Sequence, residues 1–473
     1  MSKDVKCIAL FVLGVTAIFF SHLAVSHAAS LNCDAQLSSD LEINVPVVYF
    51  SGNYYQVDFQ YAPSSDGLVW VKLTSATQTT QGDCETPATV SLISEKYVLH
   101  LPSLNFNGTE FWADFEYVPT ADGLKLTNYG IVSTCTVKSG EDIQACIDRV
   151  LSSGGGKVFV STGTYTISKY LHIGAGNLIL KGEGAETIIY LADNAGTSNI
   201  VVGPITSMNP DEDSSSIPVK HVLIRDLSID GNKNNQATEA WASPYQYIMV
   251  SGITIRYAKD IRVSNVKVIN GRSAGILVEK STEGFLLDQV DIRASAYDGF
   301  SCNKSYNGIV TNSQFQQNTY AGITATCDCS ENIFSNNVIS FNGLTGSRKA
   351  PGIYFAEAHR NKVKDNMIEG NSDVGLFLTG ADCGVTHTGA SMNNFDNNKI
   401  FSNQSCGVFL DINKNGGPGT GNIANSTIYH ANGYNGVCNY NADLYNEINP
   451  TIEVSSSVRS ARIVRYVTGV RGH

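Results

Sequence analysis

Residues 310–339 read VTNSQFQQNTYAGITATCDCSENIFSNNVI and hold one full period of a repeat. A polar residue stands between apolar residues at Asn312 and again at Asn336. The same short motif occurs eight times, at Asp226, Asn265, Gln289, Asn312, Asn336, Asp365, Asn397 and Asn425. Internal repeats of this length are typical of solenoids and related arrays. We expect the polar side chains to stack on one another inside a turn that recurs in every repeat.

A glycine followed by an apolar residue repeats in step with this motif, at Gly275, Gly299, Gly322, Gly352, Gly375, Gly407 and Gly436. Each repeat is therefore predicted to hold two short strands and a turn. Spacings of mostly 23 to 32 residues leave no room for a helical crossover, so the parallel strands of successive coils must stack directly. The residues one and three after each glycine are mostly apolar and should point inward, whereas those two and four after it should face outward.

The chain divides into four predicted regions. Residues 1–28 read as a secretion signal, with Lys3 and Lys6 before an apolar run that is too short to favour a membrane span. Residues 30–132 and 136–450 differ in pattern and are predicted to be separate domains, and 451–473 form a C-terminal tail. Without Cys7, ten of the 11 cysteines remain, an even number that indicates disulfides in an oxidising compartment. We therefore expect a secreted or periplasmic protein.

Residues 30–132 repeat themselves at an offset of 56, since Asp58-Phe59 and Asp66-Gly67 recur as Asp114-Phe115 and Asp122-Gly123. Alternating apolar runs separated by Asp-Gly turns predict a small, duplicated all-β accessory domain. A disulfide between Cys33 and Cys84 is one way to close it. Its aromatic residues are interpreted as core, with glycan binding as the alternative.

The solenoid is predicted to begin with a helix near Glu141 to Leu151, with Ser139 as the N-cap. One face of this helix is apolar and carries Ile143, Cys146, Ile147, Val150 and Leu151. Because the end of a solenoid exposes hydrophobic residues and strand edges, we expect this helix to cover it. The predicted fold class is thus all-β, a parallel β-helix with an N-terminal helix cap and a small N-terminal accessory domain.

The segments that follow the helix are GGGKVFV (154–160), GTY (163–165), LILKGEG (178–184) and LSIDGN (227–232). With these segments the chain resembles right-handed parallel β-helix proteins of the pectate-lyase-like superfamily. Within that group it is most similar to the mannuronan C5-epimerase and polysaccharide lyase branch. The resemblance covers roughly residues 136–450 and implies action on a uronate-containing polysaccharide.

The epimerases of this branch carry their catalytic residues on a segment Tyr-Gly-Phe-Asp-Pro-His-Glu, followed one coil later by Asp-Gly-Phe-x-x-Asp. The matching segments here are AGILVEK (274–280) and DGFSCN (298–303). Four family residues are replaced, by Ala274, Leu277, Glu279 and Asn303. Asp298-Gly299-Phe300 is retained and is interpreted as a turn and core element. The family's catalytic set therefore does not carry over intact.

Lyase or epimerase chemistry needs a cation at the carboxylate, a base near carbon five and, for a lyase, an acid at the leaving oxygen. Two outward groups offer these functions, Glu279 to Tyr306 and Tyr354 to Arg360. We predict catalytic roles for Tyr354, His359 and Glu279, and substrate binding by Lys280, Asn303, Lys304, Tyr306, Glu357, Arg360 and Trp241. Lys280 and Lys304 should lie one above the other on adjacent coils. The alternative is that both groups are solvated turns.

The predicted function is that of a secreted carbohydrate-active protein acting on an acidic polysaccharide by lyase or epimerase chemistry. The alternative is a noncatalytic β-helix that binds glycan or serves as a surface protein. The net charge of −11 argues against a nucleic-acid partner. No cofactor or metal is predicted, because Cys327-Asp328-Cys329 is not a zinc pattern. Calcium held by Asp328, Glu357 or Asp411 is the alternative.

Overall fold

The computed structural model describes residues 35–37, 42–50, 53–63, 69–79, 87–93, 96–106, 109–118, 123–205, 217–236, 250–343, 350–380, 389–410, 421–425, 428–430, 432, 437–439, 447–448 and 451–452. The predicted signal, Cys33, Cys84, Trp241, Asp411 and Gly436 lie outside these residues. Within the described part of the chain, no helix is long and apolar enough to cross a membrane.

The N-terminal region is an all-β module of eight strands. Their bounds are β1 Ala35–Leu37, β2 Glu42–Phe50, β3 Asn53–Pro63, β4 Val69–Thr79, β5 Ala88–Ile93, β6 Lys96–Phe106, β7 Thr109–Val118 and β8 Gly123–Ile131. The strands pair in the order β1-β2-β3-β4-β8-β7-β6-β5, and further β1–β6 and β2–β5 pairings close the sheet on itself. We call this module the N-terminal barrel.

The two halves of the N-terminal barrel share their irregularities as well as their strands. The register between β2 and β3 shifts between Val45 and Val48, and that between β6 and β7 shifts between Leu101 and Leu104, 56 residues later. A second shift follows Asp58 in β3 and Asp114 in β7. The two halves thus agree in strand pattern at the same offset of 56 residues as in the sequence.

The rest of the described chain forms a solenoid of parallel strands behind one helix, α1, at Ile143–Ser152. Its strands are β9 Ser133–Val137, β10 Gly156–Val160, β11 Gly163–Ile167, β12 Leu171–Ile173, β13 Leu178–Gly182, β14 Thr187–Leu191, β15 Ile200–Val202, β16 Val219–Asp230, β17 Ile253–Arg256, β18 Ala258–Ile269, β19 Ile276–Glu279, β20 Leu286–Asp288, β21 Asp291–Arg293, β22 Phe300–Asn303, β23 Ile309–Thr311, β24 Gln314–Gln316, β25 Ile323–Thr326, β26 Ile333–Ser335, β27 Val338–Ser340, β28 Ile353–Ala356, β29 Lys362–Lys364, β30 Met367–Glu369, β31 Leu376–Thr379, β32 Asn394–Asp396, β33 Lys399–Phe401, β34 Val408–Leu410, β35 Ile423–Asn425, β36 Ile428–His430, β37 Val437–Asn439, β38 Glu447–Ile448 and β39 Thr451–Ile452.

Three short strands, not the predicted two, make up a typical coil. The segment predicted as one strand near Asn312 consists of β23 and β24, with Asn312 between them in the left-handed region at φ 51°. Asn adopts this conformation more readily than most residues, so the polar motif marks a bend in the chain. Ten strands, β12, β15, β17, β19, β22, β25, β28, β31, β34 and β37, form a separate sheet that we call the front sheet.

The predicted polar column exists, but its position differs from the prediction. Thr311 pairs with Ser335 and Ser335 with Lys364, so Asn312, Asn336 and Asp365 stack in one column as expected. Their side chains lie at the surface and not inside the turn. At the last repeat the prediction is wrong by one residue, because Asn425 pairs with Asp396.

Buried asparagines form three other ladders that the sequence motif did not reveal. One runs through Asn337, Asn366 and Asn398, and another through Asn318, Asn342, Asn371, Asn403 and Asn432. The third joins Asn332, Asn361, Asn393 and Asn422. In each ladder the side-chain oxygen accepts a hydrogen bond from the backbone N–H of the preceding coil. The polar groups at these bends are thereby satisfied inside the core.

The glycine column lies where the coils approach each other most closely. A Cβ on Gly322 would lie 2.4 Å from Ile339 Cγ2 and 3.0 Å from the carbonyl oxygen of Gly352 on the next coil. The apolar residues one and three positions later, such as Phe300 and Cys302, are buried as predicted. These residues form one continuous core along the solenoid.

Helix α1 covers the first coil as predicted, and its buried face consists of Ile143, Cys146, Ile147 and Val150. Its N-cap is Asp142 and not Ser139, because the Asp142 carboxylate accepts a hydrogen bond from Gln144 N at 2.8 Å. Disulfides join Cys135 to Cys146 on this helix and Cys302 to Cys329 between two coils. Cys327 and Cys406 are also disulfide-bonded.

The ladders and the surface column make different predictions for stability. Asn366 donates to Phe334 O at 3.0 Å and accepts from Asn337 N at 3.0 Å, so Asn366→Ala leaves buried groups without partners. Each such group costs about 1–3 kcal/mol. We expect the free energy of unfolding, measured with denaturant, to fall by at least that amount.

The matched control is Asn397→Gly, which keeps the left-handed bend and removes only an exposed hydrogen bond to Asp365 of 2.7 Å. Its free energy of unfolding should change by about 0.5 kcal/mol or less. Equal losses in the two variants would mean that the surface column, and not the buried ladder, stabilises the coils.

Candidate functional site

A row of aromatic rings runs along the outward face of the front sheet and the turns that lead into it. Tyr297 stacks on Tyr320 at 4.8 Å between ring centroids, and Tyr320 contacts Tyr354 at 6.1 Å. Phe377 follows at 5.4 Å from Tyr354, and Phe409 at 5.1 Å from Phe377. All five rings are half-buried, and they span five successive coils. We call them the aromatic row.

Only Tyr354 of this row was predicted from the sequence. The strand register aligns Thr324, Tyr354, Phe377 and Phe409 in one outward column, two residues after each repeat glycine. Tyr297 and Tyr320 instead stand two residues before Gly299 and Gly322. Three of the five rings could therefore have been predicted from an aromatic residue two positions after the repeat glycine.

Lys280 and Lys304 lie at the turn that follows the front sheet, one above the other on adjacent coils. Val278 pairs with Cys302, and the N–H of Ser281 donates to the carbonyl of Lys304 at 2.7 Å. This placement agrees with the geometric prediction, while their role in binding stays a prediction. Lys304 is exposed, and within the described part of the chain no carboxylate lies within salt-bridge distance of its ammonium.

Glu279 does not reach the surface that was predicted for it. Its side chain is 4% exposed, and Glu279 Oε1 lies 3.2 Å from Nε of the buried Arg256. A buried and paired carboxylate is poorly placed to take a proton from a molecule bound at the surface. Asn303, on the next coil, is half-buried and faces outward.

Tyr306, the last member of the first predicted group, lies at the same turn and beside Asp328 of the next coil. The hydroxyl of Tyr306 donates to Asp328 Oδ2 at 3.2 Å. Burial, followed by the negative charge of Asp328, raises the pKa of Tyr306 to about 12. Tyr306 therefore keeps its proton at neutral pH.

His359 belongs to the second predicted group. It pairs with Ser391 of the next coil through an isolated β-bridge, and its Nδ1 is 2.8 Å from Ser391 Oγ. Burial lowers the pKa of His359, and Asp328 opposes this effect. The imidazole is therefore neutral at pH 7 and can accept a proton.

Glu357 and Arg360, the other charged residues of the second predicted group, lie in the turn itself. Glu357 and Arg360 are left-handed, at φ 57° and 55°. Glu357 is buried, whereas Arg360 is half exposed and donates to Glu331 at 2.7 Å. The turn given as the alternative for this group is thus present, and it carries the charge of Arg360 at the surface. The predicted roles of both residues stay predictions.

Asp298 is a further candidate that the sequence did not single out. Its carboxyl group is fully buried behind the outward column and accepts hydrogen bonds from Ser301 Oγ at 2.8 Å and Ala321 N at 3.2 Å. Burial raises the pKa of Asp298 to about 7, which the hydrogen bonds from Ser301, Thr324 and Ala321 only partly offset. A sequence motif identifies this turn but does not reveal the shifted pKa.

Two of the carboxylates considered for calcium lie on neighbouring coils, since Asp328 N donates to Glu357 O at 2.7 Å. Asp411, the third, lies outside the described residues. A calcium ion at this turn stays a prediction.

These observations define a right-handed parallel β-helix protein with an aromatic and charged outer face on one sheet. A family model described as right handed beta helix region matches residues 219–391. The chain is 26% identical over 254 residues to the mannuronan C5-epimerase AlgE3 of Azotobacter vinelandii, covering 52% of this chain and 13% of that protein. It is 30% identical over 129 residues to AlgE4 of the same organism, covering 25% and 22%. The resemblance to the epimerase branch is thereby confirmed.

The chain spans less than a quarter of the length of the curated relatives that it matches. Among solved structures, the A-module of the AlgE4 epimerase is similar with a TM-score of 0.41 and 16% identity, covering 65% of this chain and 94% of that module. An endo-xylogalacturonan hydrolase of Aspergillus tubingensis has a TM-score of 0.43 and 14% identity, covering 68% and 100%.

Proposed function

We propose that this is a secreted carbohydrate-active protein that acts on an acidic, uronate-containing polysaccharide by lyase or epimerase chemistry. The observation that carries the proposal is the aromatic row running along the solenoid beside a turn that bears Lys280, Lys304 and Arg360. The polymer lies along the front sheet, parallel to the solenoid axis.

The two kinds of side chain suit two features of such a polymer. Aromatic rings offer flat, partly apolar surfaces to sugar rings, and the centroids of this row are 4.8 to 6.1 Å apart. The lysine and arginine side chains supply charge-assisted hydrogen bonds to the carboxylates of the uronate units. Neutralising that carboxylate makes the proton on carbon five easier to remove.

Proton transfer falls to His359 and Tyr354. Neutral His359 takes the proton from carbon five, and the hydroxyl of Tyr354 gives a proton to the leaving oxygen in a lyase or to the opposite face of carbon five in an epimerase. In the lyase reaction the released electron pair forms the double bond to carbon four as the glycosidic bond to carbon four breaks. Tyr306, which keeps its proton, is a second donor at the same turn.

The relatives support this choice of chemistry. The curated proteins that the chain matches are mannuronan C5-epimerases, and the matched segments cover about half of the chain. The burial of Glu279 and the replaced family residues favour the alternative, a noncatalytic glycan-binding β-helix. Incubation with alginate, pectate and glycosaminoglycans separates the two proposals. Unsaturated ends, followed by ultraviolet absorbance, or epimerised units, followed by proton NMR, support an enzyme, whereas binding without either product supports the alternative.

Lys304→Met tests the binding face. Loss of a charge-assisted contact costs about 1.5–3 kcal/mol, so affinity for an acidic polysaccharide should fall about tenfold or more in calorimetric titration. Lys364→Met is the matched control, because Lys364 is exposed on β29 in another wall of the solenoid. If the two variants bind equally well, the turn at Lys304 does not contact the polymer.

Tyr354→Phe and His359→Gln test proton transfer. The first keeps the ring of the aromatic row, and the second keeps a side chain that can hydrogen-bond Ser391. Turnover should fall about 100-fold or more while affinity changes little. Retained turnover in both variants would remove these residues from the mechanism.

The pH profile gives an independent measurement. Because burial lowers the pKa of His359 below its ordinary value of 6.5, the base form predominates at pH 7. If His359 acts as the base, turnover should fall to half of its maximum at a pH below 6.5. A midpoint above 6.5 would point to a different base.

A further inference from the structure

A buried polar network joins the N-terminal barrel to the solenoid. His100 on β6 and Asp114 on β7 come from the barrel, whereas His221 on β16 and Asp260 on β18 come from the solenoid. All four are at most 8% exposed. His221 and Asp260 are left-handed residues on adjacent coils, at φ 57° and 51°. We call these four residues the junction network.

His221 lies between two carboxylates. Its Nδ1 shares a hydrogen bond of 2.8 Å with Asp260 Oδ2, and its Nε2 lies 3.4 Å from Asp114 Oδ1. The ring thus connects a carboxylate of the solenoid to one of the barrel.

His100 stacks directly on His221. Its Nδ1 is 2.7 Å from Asp114 Oδ1, and its ring lies on that of His221 with centroids 3.9 Å apart and planes 2° from parallel. Two charged imidazoles in this arrangement would repel each other in a site with little water. The closed junction therefore disfavours a positive charge on His100.

A metal ion does not fit the same residues. His100, Asp114 and His221 converge closely enough to suggest one. A metal lies close to the plane of each ligating imidazole, about 2.0–2.1 Å from the nitrogen. Two parallel rings 3.9 Å apart have no common plane in which one ion could bind both.

The duplication of the barrel supplies an internal comparison. Asn44 and Asp58 occupy, in the first half, the positions of His100 and Asp114 in the second, 56 residues later. Asn44 Nδ2 donates to Asp58 Oδ1 at 2.5 Å, so a group that does not titrate makes the equivalent bond. The half that supplies the junction network carries the titratable residue.

We propose that the junction network is a proton-operated latch between the N-terminal barrel and the solenoid. It is closed while His100 is neutral, and it opens when a proton charges His100 against the stacked ring of His221. Acidification therefore releases the barrel from the solenoid, independently of what binds at the front sheet.

The direction of the pH dependence follows from the surroundings of His100. Burial, and then repulsion from His221, lowers the pKa of His100, while its bond to Asp114 opposes this. The separated state, with an ordinary histidine, takes up the proton first as the pH falls below 6.5. The closed state is thus favoured above that value and loses stability below it, by up to about tenfold per pH unit.

Two other charged groups near the network, Arg262 and Lys157, have partners. Arg262 on β18 lies 3.8 Å from Asp260 and above the ring of Tyr49, and Thr89 on β5 donates to Asp260 at 3.0 Å. Lys157, next to the network in an inner cavity, pairs with Glu110. A cleft of about 550 Å³, lined by Asp114, Glu116, Lys220 and His221, lies directly beside the network. This cleft exposes His221 and Asp114, the partners of His100, at the edge of the network.

Hydrogen exchange of the whole protein tests the latch. Exchange rates, corrected for the intrinsic effect of pH, are measured at pH 7.5, 6.5 and 5.5 for peptides from β7 and β16 and, as a reference, from β23 to β27. We expect exchange at β7 and β16 to accelerate between pH 6.5 and 5.5 by up to about tenfold, with no change in the reference peptides. An unchanged junction at pH 5.5 would overturn the proposal.

His100→Asn is the decisive variant, because it copies Asn44 of the first half and keeps a hydrogen-bond donor to Asp114. Its junction should exchange at the same corrected rate at pH 7.5 and 5.5. Persistence of the acid-induced acceleration in this variant would contradict the latch. The unmodified protein gives a second measurement by NMR: the ring of His100 must titrate below 6.5, and titration at or above that value would also overturn the proposal.

Discussion

The solenoid depends on how the chain satisfies its own backbone at every corner. At each bend of a coil, backbone polar groups point towards the core. Because the core is apolar, each of these groups that lacks a hydrogen-bond partner destabilises the fold. Here the side-chain amide of Asn371 makes two hydrogen bonds to the preceding coil: it donates to Ile339 O and accepts from the backbone N–H of Asn342. The backbone N–H of Asn371 donates to the side-chain oxygen of Asn403 on the following coil. One residue type thus closes the corner and connects three coils.

This arrangement makes the position of every outward side chain a consequence of coil register. Tyr354 and Phe377 stand in one row because their strands pair residue by residue, and Lys280 lies against Lys304 for the same reason. The groups proposed to bind a polysaccharide are thereby attached to a rigid core. If they bind one, they need not be ordered first, which lowers the entropic cost of binding.

Periodicity made the stack, the buried apolar columns and the helix cap predictable, since each follows from counting along the chain. The buried ladders escaped prediction because the motif centres on Asn336, whose left-handed backbone sends its side chain to the surface and that of Asn337 inward. Glu279 was placed correctly in register, yet its burial depends on pairing with Arg256 from the previous coil. The contact of His100 with His221 joins two domains, and no local pattern encodes it.

Because the ladders connect only adjacent coils, a whole coil is the natural unit of change in this fold. An insertion or deletion of one repeat in the gene keeps every inward and outward position, provided that its corner asparagines come with it. Such an event would lengthen or shorten the front sheet by about 4.8 Å and the aromatic row by at most one ring. The length of the front sheet in homologues should therefore differ by whole coils. Intermediate lengths would break the stacking of the core.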